Sequence, residues 1–288
     1  MSPYNVKPLT VVLTAMLAMI AFASNSIICR LALSDGTIDA GSFSIIRLLS
    51  GAAMLWVLLV IRNGKTKTDH SGSWISASML FLYAFTFSFA YIELNAGTGT
   101  LILFGAVQVT MLLTGIVTGE RPHPLQWLGL MFALGGMIYL VSPGLEAPSV
   151  KSSGLMAIAG IAWGIYSLRG RGNSNPVAVT TDNFIRTTPF VLITVLFVFP
   201  QLHITTIGTI WAVISGAVTS GIGYIIWYTA LRGLTATRAA IIQLSVPVLA
   251  ALGGVLLLSE VITPRLVVSA ILTLGGITLA IIGREKKV

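Results

Sequence analysis

Apolar residues occur in long runs, with polar residues gathered in the short gaps between them. Ten runs can be marked, at 9–28, 42–61, 74–94, 98–118, 124–141, 153–168, 177–199, 207–231, 235–258 and 263–283. Most approach the ~20 residues that a helix needs to cross a hydrocarbon layer roughly 30 Å thick. The sixth is the shortest. Turn formers such as Ser34-Asp35-Gly36 and Ser142-Pro143-Gly144 separate the runs. These connections leave no room for a sizeable soluble domain, so function must reside in the helices. The expected fold is an all-α integral membrane protein with ten transmembrane helices.

Lys7, followed by an apolar run that ends at Ala21-Phe22-Ala23, resembles a secretory signal with a small-residue cleavage site. The internal repeat described below requires this helix as its first member, so it is read as retained.

Composition agrees with the pattern. Hydrophobic residues are 55% of the 288 positions and charged residues only 9%, against about 25% charged in a soluble domain. The single cysteine, Cys29, excludes a disulfide framework within the chain and offers no zinc or redox pair. A formal charge of +8 could suggest nucleic acid as a partner, but the basic residues lie in short segments between apolar runs, as in cytoplasmic loops. With ten spans, twelve lysines and arginines fall on the side of both termini. Three (Arg30, Lys151 and Arg265) fall opposite, and Arg47 and Arg186 fall inside spans. The positive-inside rule then predicts cytoplasmic termini in a multi-pass protein of the cell (inner) membrane.

The chain also repeats itself. At an offset of 140, residues 94–138 align without gaps to 234–278. Ala96 meets Ala236, Glu120 meets Glu260, Pro124 meets Pro264, and Leu134-Gly135-Gly136 meets Leu274-Gly275-Gly276. Nearer the start the offset becomes 139, where Arg30 meets Arg169 and Ile46-Arg47 meets Ile185-Arg186. The division is 1–145 and 146–288. Five helices per repeat is an odd number, so the second half is inserted upside down. Inverted repeats are frequent in secondary transporters, with a substrate site near the midplane where the halves meet.

Residues 236–281 resemble the second repeat of the EamA-type branch of the drug/metabolite transporter superfamily. The likeness is carried by Ala236-Thr237-Arg238-Ala239-Ala240, Pro247, Glu260 and Gly275-Gly276. The first half is similar through Ala52-Ala53 after Arg47, and through Glu120, Pro124 and Gly135-Gly136; it departs at Val107, which stands where the second half has Pro247. The resemblance implies ten helices, cytoplasmic termini and a central cavity shared by the halves. Its bacterial members are often exporters of amino acids and related metabolites.

The candidate substrate-binding residues are Asn25, Tyr83, Gln108, Trp163, Tyr166, Tyr224, Trp227, Tyr228, Gln243 and Ser245. Rings supply apolar contact and amides fix a polar end, as an amphipathic solute requires. Trp163 and Tyr166 share a helix face, as do Tyr224, Trp227 and Tyr228. For Trp227 and Tyr228 an interfacial aromatic belt is an equal alternative. Six residues are read as structural or gating. Glu120 and Glu260 precede the prolines that open the next helices, where a macrodipole favours a carboxylate. Arg47 and Arg186 either anchor the fold, Arg47 by snorkelling, or line the cavity. Pro189 and Pro247 are expected to bend their helices. Gly115-x3-Gly119 and Gly160-x3-Gly164 read as packing devices.

All nine carboxylates, and His70, His123 and His203, fall in loops or near the ends of the marked spans. That disfavours a proton relay and a counter-charge for large cations, and favours a neutral or zwitterionic solute moved down its gradient. Neither a phosphate-binding Gly-x4-Gly-Lys-Ser/Thr nor a hydrolase motif is present, and no cofactor or metal is called for. The expectation is a facilitative exporter of neutral or aromatic amino acids, not an enzyme, with a small-molecule substrate, the lipid bilayer and no nucleic acid as partners. A multidrug or other metabolite carrier with proton coupling stays open. So, in another class, does a membrane-embedded enzyme or channel, although an enzyme lacks convergent acid, base or metal ligands. The oligomeric state is undetermined and a monomer is compatible.

Overall fold

The computed structural model describes residues 8–63, 72–117, 123–144, 147–170, 175–198, 202–231, 233–234, 239 and 242–285. These form α1 (Pro8–Ser34), α2 (Ala40–Asn63), α3 (Trp74–Ala90), α4 (Ala96–Val117), α5 (Pro124–Val141) and α6 (Val150–Gly170). The chain continues through α7 (Pro176–Arg186), α8 (Thr188–Val198), α9 (Thr206–Val213), a π-helical segment (Ile214–Ile222) and α10 (Gly223–Leu231). It ends with α11 (Ser245–Leu258) and α12 (Pro264–Glu285). Helices α7 and α8 make one crossing, and so do α9, the π segment and α10. Among the described residues the fold is therefore that of an all-helical membrane protein, with ten crossings in two inverted repeats. Among the described residues six helices satisfy both length and apolarity for a crossing, among them Leu9–Ser34 and Thr206–Leu231. The sixth run, short in the sequence, extends to 21 residues in α6. Ala21-Phe22-Ala23 lie in the middle of α1.

The outer surface is what lipid would cover. Met131, Leu196, Leu256 and Ile271 are each at least two-thirds exposed, and apolar exposure on this scale needs a hydrocarbon partner. Lipid offers helices no hydrophobic incentive to associate, so close approach of backbones has to hold them together. The repeated Leu-Gly-Gly shows how. A Cβ on Gly276 would stand 2.6 Å from both Gly129 O and Ala133 N, and one on Gly136 would stand 2.5 Å from Thr273 Oγ1. These second glycines form the antiparallel seam of α5 with α12. The first of each pair, Gly135 and Gly275, has nothing within 4 Å of a Cβ. Gly160 and Gly164 likewise seat α6 against α4, at Leu103 O and Val107 O; Gly119 lies outside the described residues.

Both prolines depart from the expected bend. Pro189 is the second residue of α8, after a break at Thr187, and Pro247 the third of α11, after a turn at Leu244. Each occupies a first helical turn, where its missing N–H costs nothing. The crossings are interrupted rather than bent. Asp182, assigned to a loop or span end, lies inside α7 and is 3% exposed. It is held by Arg186 and by the backbone N–H of Gly72.

The seam makes opposite predictions for adjacent glycines. Gly276→Ala should lower the unfolding midpoint in detergent, by about 1–3 kcal/mol of overpacking, whereas Gly275→Ala should leave it unchanged or raise it slightly. Equal sensitivity at the two positions would refute the packing account.

Candidate functional site

Near the centre of the bundle a cavity is lined by Phe22, Asn25, Ser26, Tyr83, Phe87, Leu103, Phe104, Trp163 and Tyr224. The first seven belong to α1, α3 and α4 of the first repeat, and Trp163 and Tyr224 to α6 and α10 of the second. Its free space is only about 10 Å³, room for roughly one water. Trp163 is the hub of the aromatic wall. Its ring centroid lies 6.0 Å from Phe22, 5.0 Å from Tyr83, 4.8 Å from Tyr224 and 5.5 Å from Tyr166.

The polar end of the cavity is built on Asn25. Its Oδ1 accepts from Ser215 Oγ at 2.7 Å and Thr219 Oγ1 at 3.0 Å, and its Nδ2 reaches the Tyr83 hydroxyl at 3.5 Å. Ser215 and Thr219 belong to the π segment, a rare geometry often found at functional sites. Gly216 places that segment against α2. A Cβ there would collide with Arg47 O and Ser50 Oγ.

Arg47 is 1% exposed. It does not snorkel, because α3 and the π segment enclose it. Its Nε donates to Ser220 Oγ at 3.2 Å and its Nη2 to the Tyr83 hydroxyl at 3.1 Å. The guanidinium lies 5.1 Å from the Tyr83 ring centroid and 4.9 Å from that of Phe87. Its counterpart in the repeat behaves differently. Arg186 pairs with Asp182 at 3.1 Å and packs over Trp74, away from the cavity.

Of the other candidates, Tyr166, Gln108 and Gln243 are buried without lining the void, and Gln243 Nε2 reaches Ala239 O. Trp227 is 4% and Tyr228 8% exposed, so they pack inward and form no lipid-facing belt. Ser245 is exposed, its hydroxyl donating to Ile242 O, and it contributes nothing to the cavity. Sequence reasoning missed Phe22, Ser26, Phe87, Leu103 and Phe104. Two of these had a readable signal, since Phe22 precedes Asn25 by three residues and Phe87 follows Tyr83 by four, spacings that share a helix face.

One end of the bundle is closed by charge. Glu260 accepts from the backbone N–H of Ala96, at 3.1 and 2.9 Å to its two oxygens, and pairs with Arg30 Nε at 3.4 Å. Arg30 also donates to Tyr91 O and Ile92 O at the end of α3. The carboxylate thus sits on the positive end of α4 and the guanidinium on the negative end of α3. Glu260 was expected to serve the helix that follows it; it serves α4, in the other repeat. Ser259, left-handed at φ 54°, turns the chain so that the carboxylate can reach back. Burial pushes the Glu260 carboxyl above its ordinary range, opposed by the Ala96 N–H and Arg30. Glu120, the equivalent carboxylate, lies outside the described residues. Arg169, the equivalent of Arg30, donates to Ser76 and Ser73.

Comparison with known proteins gives these features a setting. The EamA-like transporter family model matches residues 9–142 and again 151–282. An uncharacterised protein of Pseudomonas aeruginosa is 50% identical over 272 residues, covering 94% of each chain. The Bacillus subtilis protein named "Uncharacterized transporter YoaV" is 24% identical, covering 82% of this chain and 85% of its own. An Escherichia coli protein named "Probable amino-acid metabolite efflux pump" is 26% identical over 205 residues, covering 65% of this chain and 68% of its own. A solved crystal structure, 17% identical, superposes with a TM-score of 0.67 over 95% of this chain and 98% of that one, a likeness of fold.

Glu260→Ala leaves both the Ala96 N–H and Arg30 without their carboxylate. It should cost about 1–3 kcal/mol in unfolding experiments, with a smaller loss for Glu260→Gln, which keeps an acceptor. An alanine variant as stable as the parent would remove this capping role.

Proposed function

We propose that this chain, which belongs to the EamA-like transporter family, exports small neutral or aromatic amino acids across the cell inner membrane, with both termini cytoplasmic. The observation that carries this reading is the aromatic cavity with one amide at its polar end. Asn25 hydrogen-bonds across the interface between the repeats, to Ser215 and Thr219, while Phe22, Tyr83, Trp163 and Tyr224 supply rings from both. An amphipathic solute needs apolar contact for its side chain and fixed hydrogen-bonding groups for its polar end. The relative in Escherichia coli whose name refers to amino-acid metabolite efflux supports the substrate class.

The proposed mechanism is facilitative alternating access. The Arg30–Glu260–Ala96 contacts close the end of the bundle opposite Pro8 and Glu285, and a cavity with room for about one water is occluded. Transport requires the repeats to move apart around the aromatic hub, exposing it to one side at a time. Glu93, just beyond the end of α3, is ill suited to proton coupling. Hydrogen bonds from the Ser149 and Ser152 hydroxyls hold its carboxyl below the ordinary range, so it stays ionised at physiological pH.

Proteoliposomes loaded with labelled phenylalanine, tryptophan, threonine, methionine or a charged control should show saturable efflux of the neutral substrates, unaffected by an imposed pH gradient. Trp163→Ala should lower that flux roughly tenfold by removing the ring on which four others converge. Absence of flux for every amino acid would sink the substrate assignment, and strong acceleration by the gradient would sink the facilitative mechanism. Glu93→Gln should leave the pH profile of flux unchanged between about pH 5.5 and 8, because its folded-state carboxyl titrates below that window. A profile that shifts in this variant would make Glu93 a proton carrier.

A further inference from the structure

We propose that Arg47 is the anchor for a carboxylate on the transported solute, so that the site selects monocarboxylates and zwitterions and rejects cations and uncharged amides. This rests on reading the cavity as the substrate site and adds the group the solute must carry.

Arg47 is the one arginine buried to 1% exposure among the described residues, and neither ion pair found there includes it. An uncompensated guanidinium in a membrane interior is costly and persists where it has a task. Its neighbours are all neutral: Ser220 Oγ on Nε, the Tyr83 hydroxyl on Nη2, and the faces of Tyr83 and Phe87. Its Nη1 is buried and has no hydrogen-bond partner. A guanidinium carries five donors in a planar fork that matches a carboxylate, and here one corner of that fork is vacant.

Two cavity walls stand between the guanidinium and the void. Tyr83 and Phe87, the two rings against the guanidinium, are also cavity walls. Free space of about 10 Å³ cannot hold an amino acid, so these rings must shift for a solute to enter. Their displacement uncovers Arg47. A carboxylate arriving there gains a charge-assisted hydrogen bond and supplies the missing counter-charge in one step. A cation arriving in its place would meet like charge at low dielectric. Among the described residues, three other arginines near the spans are engaged elsewhere. Arg186 holds Asp182, Arg30 holds Glu260, and Arg169 donates to Ser73 and Ser76.

The test compares 3-phenylpropionate with 3-phenylpropionamide, which share shape and differ in charge. Both are titrated against the purified full chain in detergent, with thermal unfolding as the readout, beside phenylalanine efflux from proteoliposomes. The acid should stabilise the wild-type chain at concentrations at least about tenfold lower than the amide, the size expected of one charge-assisted hydrogen bond. Arg47→Gln should abolish that preference, and Arg47→Lys should retain it at weaker affinity. Equal binding of acid and amide by the wild-type chain, binding of neither, or a preference that survives Arg47→Gln would overturn the proposal. The wild-type comparison decides even where Arg47→Gln fails to fold. The two readings separate cleanly. An acid preference lost in Arg47→Gln without amino-acid efflux retires the amino-acid assignment and keeps the anchor. Amino-acid efflux with no acid preference retires the anchor and keeps the exporter.

Discussion

In hydrocarbon a backbone amide has no water to turn to, and every departure from the helix must be repaired by protein. This constraint decides where the chain can be irregular. At the break between α7 and α8, Thr187 is buried and both its backbone N–H and its hydroxyl turn back to Phe184 O. At the turn before α11, the Ser245 hydroxyl donates to Ile242 O. At the start of α4, an amide that no helix can satisfy is met by Glu260 from the other repeat. The π segment is wedged between α1 and α2, where Asn25 and Arg47 engage its hydroxyls. Of these irregular segments, the π segment lies beside the cavity, through Asn25.

The repeat in the sequence does not become a symmetric structure. Arg47 and Arg186 align, yet one lacks a carboxylate partner beside the cavity and the other is neutralised by Asp182 four residues earlier on its own helix. The first repeat has Phe43 where the second has Asp182, the carboxylate that neutralises Arg186 and has no counterpart beside Arg47. Gly135 and Gly275, by contrast, align and behave alike, both open, as do the packed Gly136 and Gly276. Packing between repeats preserves the symmetry because both sides of the seam need the same close approach. The surroundings of the two arginines lose it: Arg47 lies against Tyr83 and Phe87, whereas Arg186 pairs with Asp182.

The crossings were legible in the sequence because hydrocarbon imposes one length and one composition on all of them. Asn25, Tyr83, Trp163 and Tyr224 were legible too, as polar or amphipathic groups that lipid would not tolerate. Phe22, Leu103 and Phe104 were not, since an apolar side chain reads the same whether it faces a cavity or a lipid tail. The span ending at Leu231 gave no warning of its π geometry beyond the small and hydroxyl residues of Ser215-Gly216 and Thr219-Ser220-Gly221. Glu260 was recognised as a helix-terminus carboxylate but assigned to its own neighbour. Only tertiary structure shows that Ser259 turns it toward α4. Asp182 was misplaced because the apolar run around it hid the boundary of a short amphipathic helix.

Closure and charge bear on each other. The contacts among Arg30, Glu260 and the ends of α3 and α4 are electrostatic, are only partly shielded from water, and join segments of both repeats. Each is of the order of a few kcal/mol at most. In the proposed alternating access the aromatic hub would also have to part, and its rings would lose contact. A solute whose side chain replaces those ring contacts offsets that loss, and one that also brings a negative charge to Arg47 offsets the cost of a buried, uncompensated cation. An empty cavity enjoys neither gain. Under the proposed mechanism, the same features that favour a particular solute also lower the barrier to the motion that carries it.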